Sequence, residues 1–301
     1  MKKEKLWKEY SKRRTREERD IYLASLSDKD FYNMMRMPIG NISRIYLTGF
    51  RKVKQNDNLN KYIIHIPHSS LEILPKFKEQ LMVSYSYFQK ENIFISDYLI
   101  DKFVPENFNN IIKFKYSRML CDVERYLDDD KEEMSKYGMG VLYTKDSNGK
   151  VFVNRDKDEE WIINIYKSHH EELDNMVADV LEKKGKCFII DLHSFSDEFV
   201  DKMFNKKNNP DICLGINKSN YDKELVLKTI SHFKKHGYSV RINYPYSGSI
   251  ISNRFPDVNS MMIEINKRVY LKDLKNYNKF YNCMMEYYKL LKRIKWYNIH
   301  K

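Results

Sequence analysis

Two histidines follow apolar runs of the kind that form buried strands. His68 comes after the run YIIHIP, and His193 comes after CFIIDL. In open α/β sheets ligands collect at the carboxyl ends of strands, so side chains at these positions are well placed to bind a metal ion. Imidazole nitrogens suit zinc, and three protein ligands leave a fourth position for a water whose pKa the metal lowers to about 7. The pattern favours a catalytic zinc site that needs a third ligand.

A carboxylate ends a further apolar run of the same type. Glu264 stands at the end of SMMIEI, where a carboxylate beside a metal-activated water would serve as a general base. Each residue alone is more often structural, with His68 and His193 hydrogen-bonded in a core and Glu264 paired with an arginine. Several polar residues of complementary type at strand ends favour the catalytic interpretation.

The elements that must position these residues form an α/β pattern. From Lys61 onward, short β-prone runs alternate with longer helical patterns, which is typical of one domain with a mostly parallel mixed sheet flanked by helices. The predicted strands are YIIHI (62–66), IIKF (111–114), CFIIDL (187–192), ICLGI (212–216), YSVRI (238–242) and SMMIEI (260–265). Apolar residues at steps of three and four predict a helix over 161–183 and another over 274–291. Asn148-Gly149, between two β-prone runs, predicts a hairpin turn.

The chain divides into an N-terminal extension and a large domain. Residues 1–55 are predicted to form a helical extension, and residues 56–301 to form the α/β domain. The formal net charge of +12 invites a nucleic-acid partner, but the first twenty residues alone hold nine basic and five acidic side chains at helical spacing. We therefore interpret the basic ends as solvated helix faces and expect no nucleic-acid partner.

Cysteine content and hydropathy indicate the cellular compartment in which the protein is expected. Four scattered cysteines without a CxxC pair indicate neither a disulfide framework nor a thiolate zinc site. No signal-peptide core and no 18-residue apolar run occurs in the sequence, so we expect a cytoplasmic protein with no membrane partner.

Five blocks together resemble the N-formylglutamate amidohydrolase family. They are IPHSS (66–70), SRMLCDVER (117–125), DLHSFSDE (191–198), NYPYSGS (243–249) and IEINKRVY (263–270), in that family's order and approximate spacing across residues 61–275. The DLHSF segment is also similar to the second histidine segment of zinc carboxypeptidases. The resemblance implies a phosphorylase/hydrolase-like α/β fold and one Zn²⁺ per chain.

The resemblance implies that His68 and His193 bind the zinc ion. It also implies that Glu264 acts first as general base and then as general acid. Carboxypeptidases place a glutamate three residues after the first histidine, where this chain has Leu71. We expect Asp97 to be the third ligand, because Ser96 can cap a helix that would start there. Asp122 is the alternative third ligand.

Further roles follow from the resemblance of SRMLCDVER to a segment of aspartoacylase-like deacylases. It implies that Arg118 polarises the scissile carbonyl and that Arg125 grips a substrate carboxylate, which the planar guanidinium fork binds bidentately. Asp122 would then orient a neighbour, although Glu124 replaces the usual asparagine. The remaining expected residues are His170 and Asn266 as substrate contacts and Asp191 as an orienting carboxylate.

The combined prediction is a zinc-dependent amidohydrolase. Its expected substrate is a small anionic N-acyl amino acid such as N-formylglutamate, which would yield formate and glutamate. Two alternatives remain at this point: a metallopeptidase or peptidoglycan-type amidase of the same fold, and a basic binding protein with a vestigial site.

Overall fold

The computed structural model describes Glu9, Lys12, residues 59–155 and residues 159–294. Apart from Glu9 and Lys12, the predicted N-terminal extension of residues 1–55 lies outside the described residues. Six strands form one sheet: β1 (Tyr62–Ile66), β2 (Ile111–Lys113), β3 (Phe188–Phe195), β4 (Ile212–Gly215), β5 (Val240–Ile242) and β6 (Asn259–Asn266). Every predicted strand is therefore present.

The sheet is mixed and mostly parallel, as the sequence predicts. Its strand order is β2-β1-β3-β6-β4-β5. The strands β2, β1, β3 and β6 run parallel to one another, β4 pairs antiparallel with β6, and β5 pairs parallel with β4. Four parallel strands thus bring their carboxyl ends to one edge of the sheet, where ligands bind in open α/β folds.

Seven helices of the described chain flank this sheet. They are α1 (Pro75–Glu79), α2 (Tyr85–Ile95), α3 (Glu160–Lys184), α4 (Asp197–Phe204), α5 (Lys223–Lys235), α6 (Arg268–Leu271) and α7 (Leu274–Arg293), with 3-10 turns at Ile100–Phe103 and Glu133–Tyr137. The two predicted long helices correspond to α3 and α7. Gly185 ends α3 at a positive φ of 66°, and the Asp273 carboxylate caps α7 by accepting from the Asn276 amide.

Both faces of the sheet are covered, which explains why its strands are apolar throughout. On one face Ile63 and Ile189 pack with Leu173 and Val177 of α3. The alternate strand positions belong to a larger core on the other face, shared with the buried side chains of α5 and α7. No helix among the described residues is long and apolar enough to cross a membrane.

The two central strands are longer than the sequence predicts. β3 and β6 stay paired from Phe188 opposite Asn259 to Phe195 opposite Asn266. His193 therefore lies inside its strand rather than after it, and Glu264 lies two residues before the end of its own. The predicted carboxyl ends of β3 and β6 were wrong, because the run of apolar side chains ends before the backbone pairing of the two strands does.

The predicted turn at Asn148-Gly149 is confirmed. Lys145 and Val151 form an antiparallel bridge on either side of it, and Gly149 has a φ of 78°. This left-handed conformation suits glycine, which has no Cβ to clash with the backbone.

Candidate functional site

Two histidines and an aspartate converge at the carboxyl edge of the parallel strands. The Asp97 Oδ2 atom lies 3.1 Å from His193 Nδ1 and 3.6 Å from His68 Nδ1. All three side chains are buried, and they form a group whose ligand atoms lie within 4.8 Å of one another. Within the described chain, His68 Nδ1 has no hydrogen-bond partner. An unpartnered buried nitrogen aimed at a carboxylate and a second imidazole fits a bound cation.

The backbone holds Asp97 in this group, although not by the expected helix start. Ser96 follows the last residue of α2, and its hydroxyl donates to the Ile93 carbonyl. The prediction that Ser96 caps the start of a helix was wrong, because Ser96 is the C-terminal cap of α2 and the next turn, at Ile100–Phe103, begins after Leu99. Asp97 instead donates its amide hydrogen to the His68 carbonyl at 2.8 Å, and Ser194 donates to Asp97 Oδ1 at 3.2 Å.

Carboxylates contact the outward-facing nitrogens of both histidines. His68 Nε2 lies 2.8 Å from Asp122 Oδ1, and His193 Nε2 lies 3.0 Å from both Asp191 Oδ1 and Glu124 Oε2. A carboxylate on the second ring nitrogen fixes the tautomer and makes the first nitrogen a better metal ligand. Asp122 thus occupies a position from which it can orient His68, whereas Asp191 contacts His193 by charge alone, because His193 Nε2 has no hydrogen-bond partner among the described residues.

The charges in this cluster favour a cation. Burial by itself would raise the pKa of Asp97, but the hydrogen bond with His193 and the positive charges of His193 and His68 hold it well below its ordinary value. Burial would lower the pKa of His193, yet Asp191 and Glu124 raise it well above the usual range. A divalent ion would replace the proton that these carboxylates retain on the imidazole.

Glu264 lies next to the group on the neighbouring strand. It is the register partner of His193, it is 7% exposed, and its Oε2 atom has no hydrogen-bond partner among the described residues. Burial raises the pKa of Glu264 to about 8, while the charge of His193 opposes that increase. A carboxylate with a pKa near neutrality and an unpartnered oxygen can both accept and return a proton.

The two predicted arginines contact the site in different ways. Arg118 donates to Asp122 Oδ2 from Nε at 3.1 Å and from Nη2 at 2.7 Å. Its fork therefore holds the carboxylate that contacts His68. The Arg125 Nε atom lies 3.7 Å from Asp122 and 3.8 Å from Glu132, and has no hydrogen-bond partner in the described chain. Of the two arginines, Arg125 therefore has the unpartnered N–H that could donate a hydrogen bond to a substrate carboxylate.

The predicted substrate contacts His170 and Asn266 are both engaged with protein groups. His170 Nε2 lies 2.8 Å from the Val123 carbonyl. The Asn266 amide donates to Asp197 Oδ1 at 2.8 Å, and its oxygen accepts from the Arg268 backbone. Their roles as substrate contacts stay predictions.

A buried histidine pair was missed by the sequence analysis. His65 Nδ1 lies 2.8 Å from Asp191 Oδ1, and His65 Nε2 lies 2.9 Å from His169 Nε2. The result is a continuous polar chain from α3 through β1 to the carboxylate that contacts His193. The available signal was the polar residue at position 65, inside an otherwise apolar strand.

Three more polar side chains complete the surroundings. The Tyr143 hydroxyl donates to Asp122 Oδ2 at 2.9 Å. Lys267 donates to the Phe94 carbonyl at 2.6 Å, and burial lowers its pKa to about 8. The loop 243–249 borders the site, because the Tyr246 carbonyl accepts from the thiol of Cys213, the register partner of Glu264, and the Ile250 amide directly after the loop donates to Asp191.

Comparison with known proteins identifies the family. Residues 60–271 match the model of the N-formylglutamate amidohydrolase family. This chain belongs to that family, and membership indicates hydrolase activity. The described fold agrees, with a mixed sheet that carries the polar cluster at its carboxyl edge.

Two solved structures share the fold. The first is the crystal structure of N-formylglutamate amidohydrolase from Ralstonia eutropha JMP134, with a TM-score of 0.66 and 18% identity, covering 77% of this chain and 94% of the other. The second is a gene product of Agrobacterium tumefaciens, with a TM-score of 0.58 and 16% identity, covering 78% and 92% of the two chains. No curated protein sequence matches significantly.

Proposed function

We propose that this protein is a zinc-dependent amidohydrolase that acts on a small anionic N-acyl amino acid such as N-formylglutamate. The observation that carries the proposal is the convergence of His68 Nδ1, His193 Nδ1 and Asp97 Oδ2 beside the unpartnered Glu264 oxygen. Two imidazoles and one carboxylate are a ligand set of catalytic zinc sites.

The choice of Asp97 rather than Asp122 as the third ligand follows from the contacts of each carboxylate. Both Asp122 oxygens accept hydrogen bonds from protein groups, including the Arg118 fork and Tyr143. Asp97 Oδ2 instead faces the inward nitrogens of the two histidines. A bound zinc ion would supply a Lewis acid that lowers the pKa of a water and polarises the scissile carbonyl.

Glu264 moves the proton in the proposed reaction. As a carboxylate it takes a proton from the water whose oxygen attacks the amide carbon. It then gives that proton to the nitrogen as the C–N bond breaks, so that the products are a carboxylic acid and a free amine. Its raised pKa suits both steps, and its place in β6 opposite His193 keeps it beside the metal ligands.

Arg125 binds the substrate carboxylate in this proposal. The guanidinium keeps its charge at all physiological pH values and offers a planar pair of donors. Arg118 was expected to polarise the carbonyl, and its donors to Asp122 give it a second task, which is to hold the partner of His68. Glu124 lies 3.0 Å from His193, so its negative charge acts on the histidine cluster.

The test combines metal content with turnover. Protein purified without chelator or histidine tag should contain about one zinc bound at the candidate active site, and the His193→Ala variant should lose that zinc. The zinc-loaded wild type should release free amine from N-formylglutamate or a related N-acyl amino acid. A wild type that holds no metal at these residues under zinc-replete conditions would refute the mechanism and favour a binding protein. Preferred cleavage of peptides would favour a metallopeptidase.

A further inference from the structure

A second group of metal-ligating side chains lies between α5 and α7, away from the polar cluster around His193. It contains His232 of α5, His236 at the C-terminal cap of α5 and Cys283 of α7, with ligand atoms within 4.8 Å of one another. Glu286 of α7 lies outside that group of three but contacts one member of it, because its Oε2 atom lies 3.0 Å from His236 Nε2. Spacings of four residues on α5 and three on α7 put each pair on one face of its helix.

We propose that these four side chains form a second, zinc-type metal site that ties α5 to α7. Two imidazole nitrogens, a thiolate and a carboxylate are all ligands of tetrahedral zinc, and a set that contains sulfur disfavours Mg²⁺ and Ca²⁺. The site is independent of the proposed amidohydrolase function, since it shares no residue with the candidate active site.

The observed separations agree with tetrahedral coordination. Zinc bonds of about 2.3 Å to sulfur and about 2.1 Å to nitrogen or oxygen imply edges of about 3.6 Å between sulfur and nitrogen and about 3.4 Å between nitrogen and oxygen. Cys283 Sγ lies 3.5 Å from His232 Nε2, and Glu286 Oε2 lies 3.0 Å from His236 Nε2. Each of these two pairs is thus spaced as two ligands of one zinc ion would be, and the three ligand atoms of His232, His236 and Cys283 lie within 4.8 Å of one another.

The hydrogen bonds around the group prepare one histidine for binding. His236 Nδ1 lies 2.8 Å from the His232 carbonyl, to which it donates, and Nε2 lies 3.0 Å from Glu286 Oε2, so a bound cation would take the place of the proton between Nε2 and the carboxylate. His232 Nε2 lies 3.0 Å from the Cys283 carbonyl and would exchange that contact for the metal. The Cys283 thiol would lose its proton to solvent as the metal–sulfur bond forms.

An ion can reach the group from solvent, and the inner side of the group is buried. The Glu286 side chain is 59% exposed and that of His236 is 23% exposed, whereas Cys283 is 1% exposed. The rings of His232 and Tyr287 pack 5.5 Å apart beneath it. A closed inner side and an open outer side are what a structural cation site between two helices requires.

Cobalt binding separates this site from the candidate active site. Co²⁺ added to the reduced, metal-free full-length chain should produce a near-ultraviolet sulfur-to-cobalt charge-transfer band, and Zn²⁺ should abolish it. The active-site residues offer only nitrogen and oxygen, so His193→Ala should keep this band while losing the metal of the active site. Failure of either site is thus distinguishable from failure of the other.

Variants identify the ligands. Cys283→Ser should remove the band, while Cys187→Ser, a buried cysteine at the edge of β3, should retain it. His236→Gln, in a partly exposed position, should leave the far-ultraviolet circular dichroism unchanged and weaken Co²⁺ binding at least tenfold. The proposal is overturned if the wild type gives no band, if the band survives Cys283→Ser, or if His236→Gln binds Co²⁺ as tightly as the wild type.

Discussion

His68 and Asp122 are joined by a 2.8 Å contact between Nε2 and Oδ1, which leaves the other ring nitrogen of His68 directed at Asp97. The same aspartate accepts two hydrogen bonds from Arg118 and one from Tyr143. These interactions keep it ionised, because the positive charges of Arg118 and His68 outweigh burial and hold its pKa well below the ordinary value. The orientation of His68, a proposed metal ligand, thus depends on a series of hydrogen bonds that passes through Asp122 and ends at Arg118.

Replacing Asp122 with asparagine should weaken zinc binding by about 10–100-fold, the usual cost of removing the partner of a metal-binding histidine. The asparagine keeps the shape but offers less negative charge to His68 and Arg118. Competition with a chromogenic chelator measures the affinity. The exposed α3 substitution Asp179→Asn serves as the control and should bind zinc normally. An Asp122→Asn protein that folds and retains wild-type affinity would show that His68 needs no such partner.

The variant Glu264→Gln should retain the active-site zinc and lose about 10²–10⁴-fold in kcat, since the amide cannot take a proton from water. KM should change little, because the side chain contributes to proton transfer rather than to holding the substrate. Steady-state kinetics with parallel metal analysis provide the measurement. Near-normal turnover by a zinc-loaded Glu264→Gln protein would rule out this carboxylate as the base.

Changing Arg125 to lysine should raise KM by about tenfold with kcat nearly preserved, because the ammonium group retains charge but loses the bidentate fork. A substrate analogue whose carboxylate is converted to an amide should bind wild type and variant alike. The control is Arg254→Lys, which alters an exposed arginine that donates a hydrogen bond to Asn175. This substitution should leave KM and kcat unchanged. Equal KM values for wild type and Arg125→Lys would assign the carboxylate to another residue.

Acid should destabilise the protein partly through His169. Burial lowers the pKa of His169 to about 2, and the charge of His65 lowers it as well. An unfolded histidine has a pKa of about 6.5, so between these values the unfolded chain binds the extra proton and stability falls as the pH falls. Urea unfolding at pH values from 7 to 4 measures the unfolding free energy. It should fall less steeply with falling pH in His169→Gln than in the wild type.

The control for that experiment alters packing without altering titration. Phe280 packs against Phe103 and Tyr270 in the core on the α7 side of the sheet, whereas α3 with His169 covers the other face, so Phe280→Leu should lower the unfolding free energy at every pH and keep the wild-type slope. If His169→Gln and wild type lose stability in parallel, the neutral state of His169 is not what acid disrupts.

The sequence predicted the sheet well because the information was local. Strand β1 contains Ile63 and Ile64, which face opposite sides of a sheet covered on both faces, so a continuous apolar run was visible. The two longest helices were equally apparent from their periodicity. The ends of β3 and β6 were not, because polar side chains at 193 and 264 interrupt the apolar pattern while backbone pairing continues.

The site was only partly predictable for a related reason. Each proposed ligand was found from its residue type and its place near a strand or helix end, but Ser96 was assigned to the wrong end of a helix. The contact between His65 and His169 joins residues that are 104 positions apart in the sequence, and no local sequence pattern indicates it. The dual engagement of Arg118 likewise depends on side-chain packing, which a linear pattern does not encode.

The pairing of His193 with Glu264 across adjacent strands separates chemistry from selectivity in this molecule. Neighbouring strands lie about 4.8 Å apart, so the backbone ladder sets the spacing between the proposed ligand and the proposed base, and a slip of one residue in either strand would turn the side chain of that strand to the opposite face. The bordering loop 243–249 carries no part of that ladder. Mutation there can reshape the substrate range while the reacting groups keep their positions, which makes this loop the segment to diversify in directed evolution.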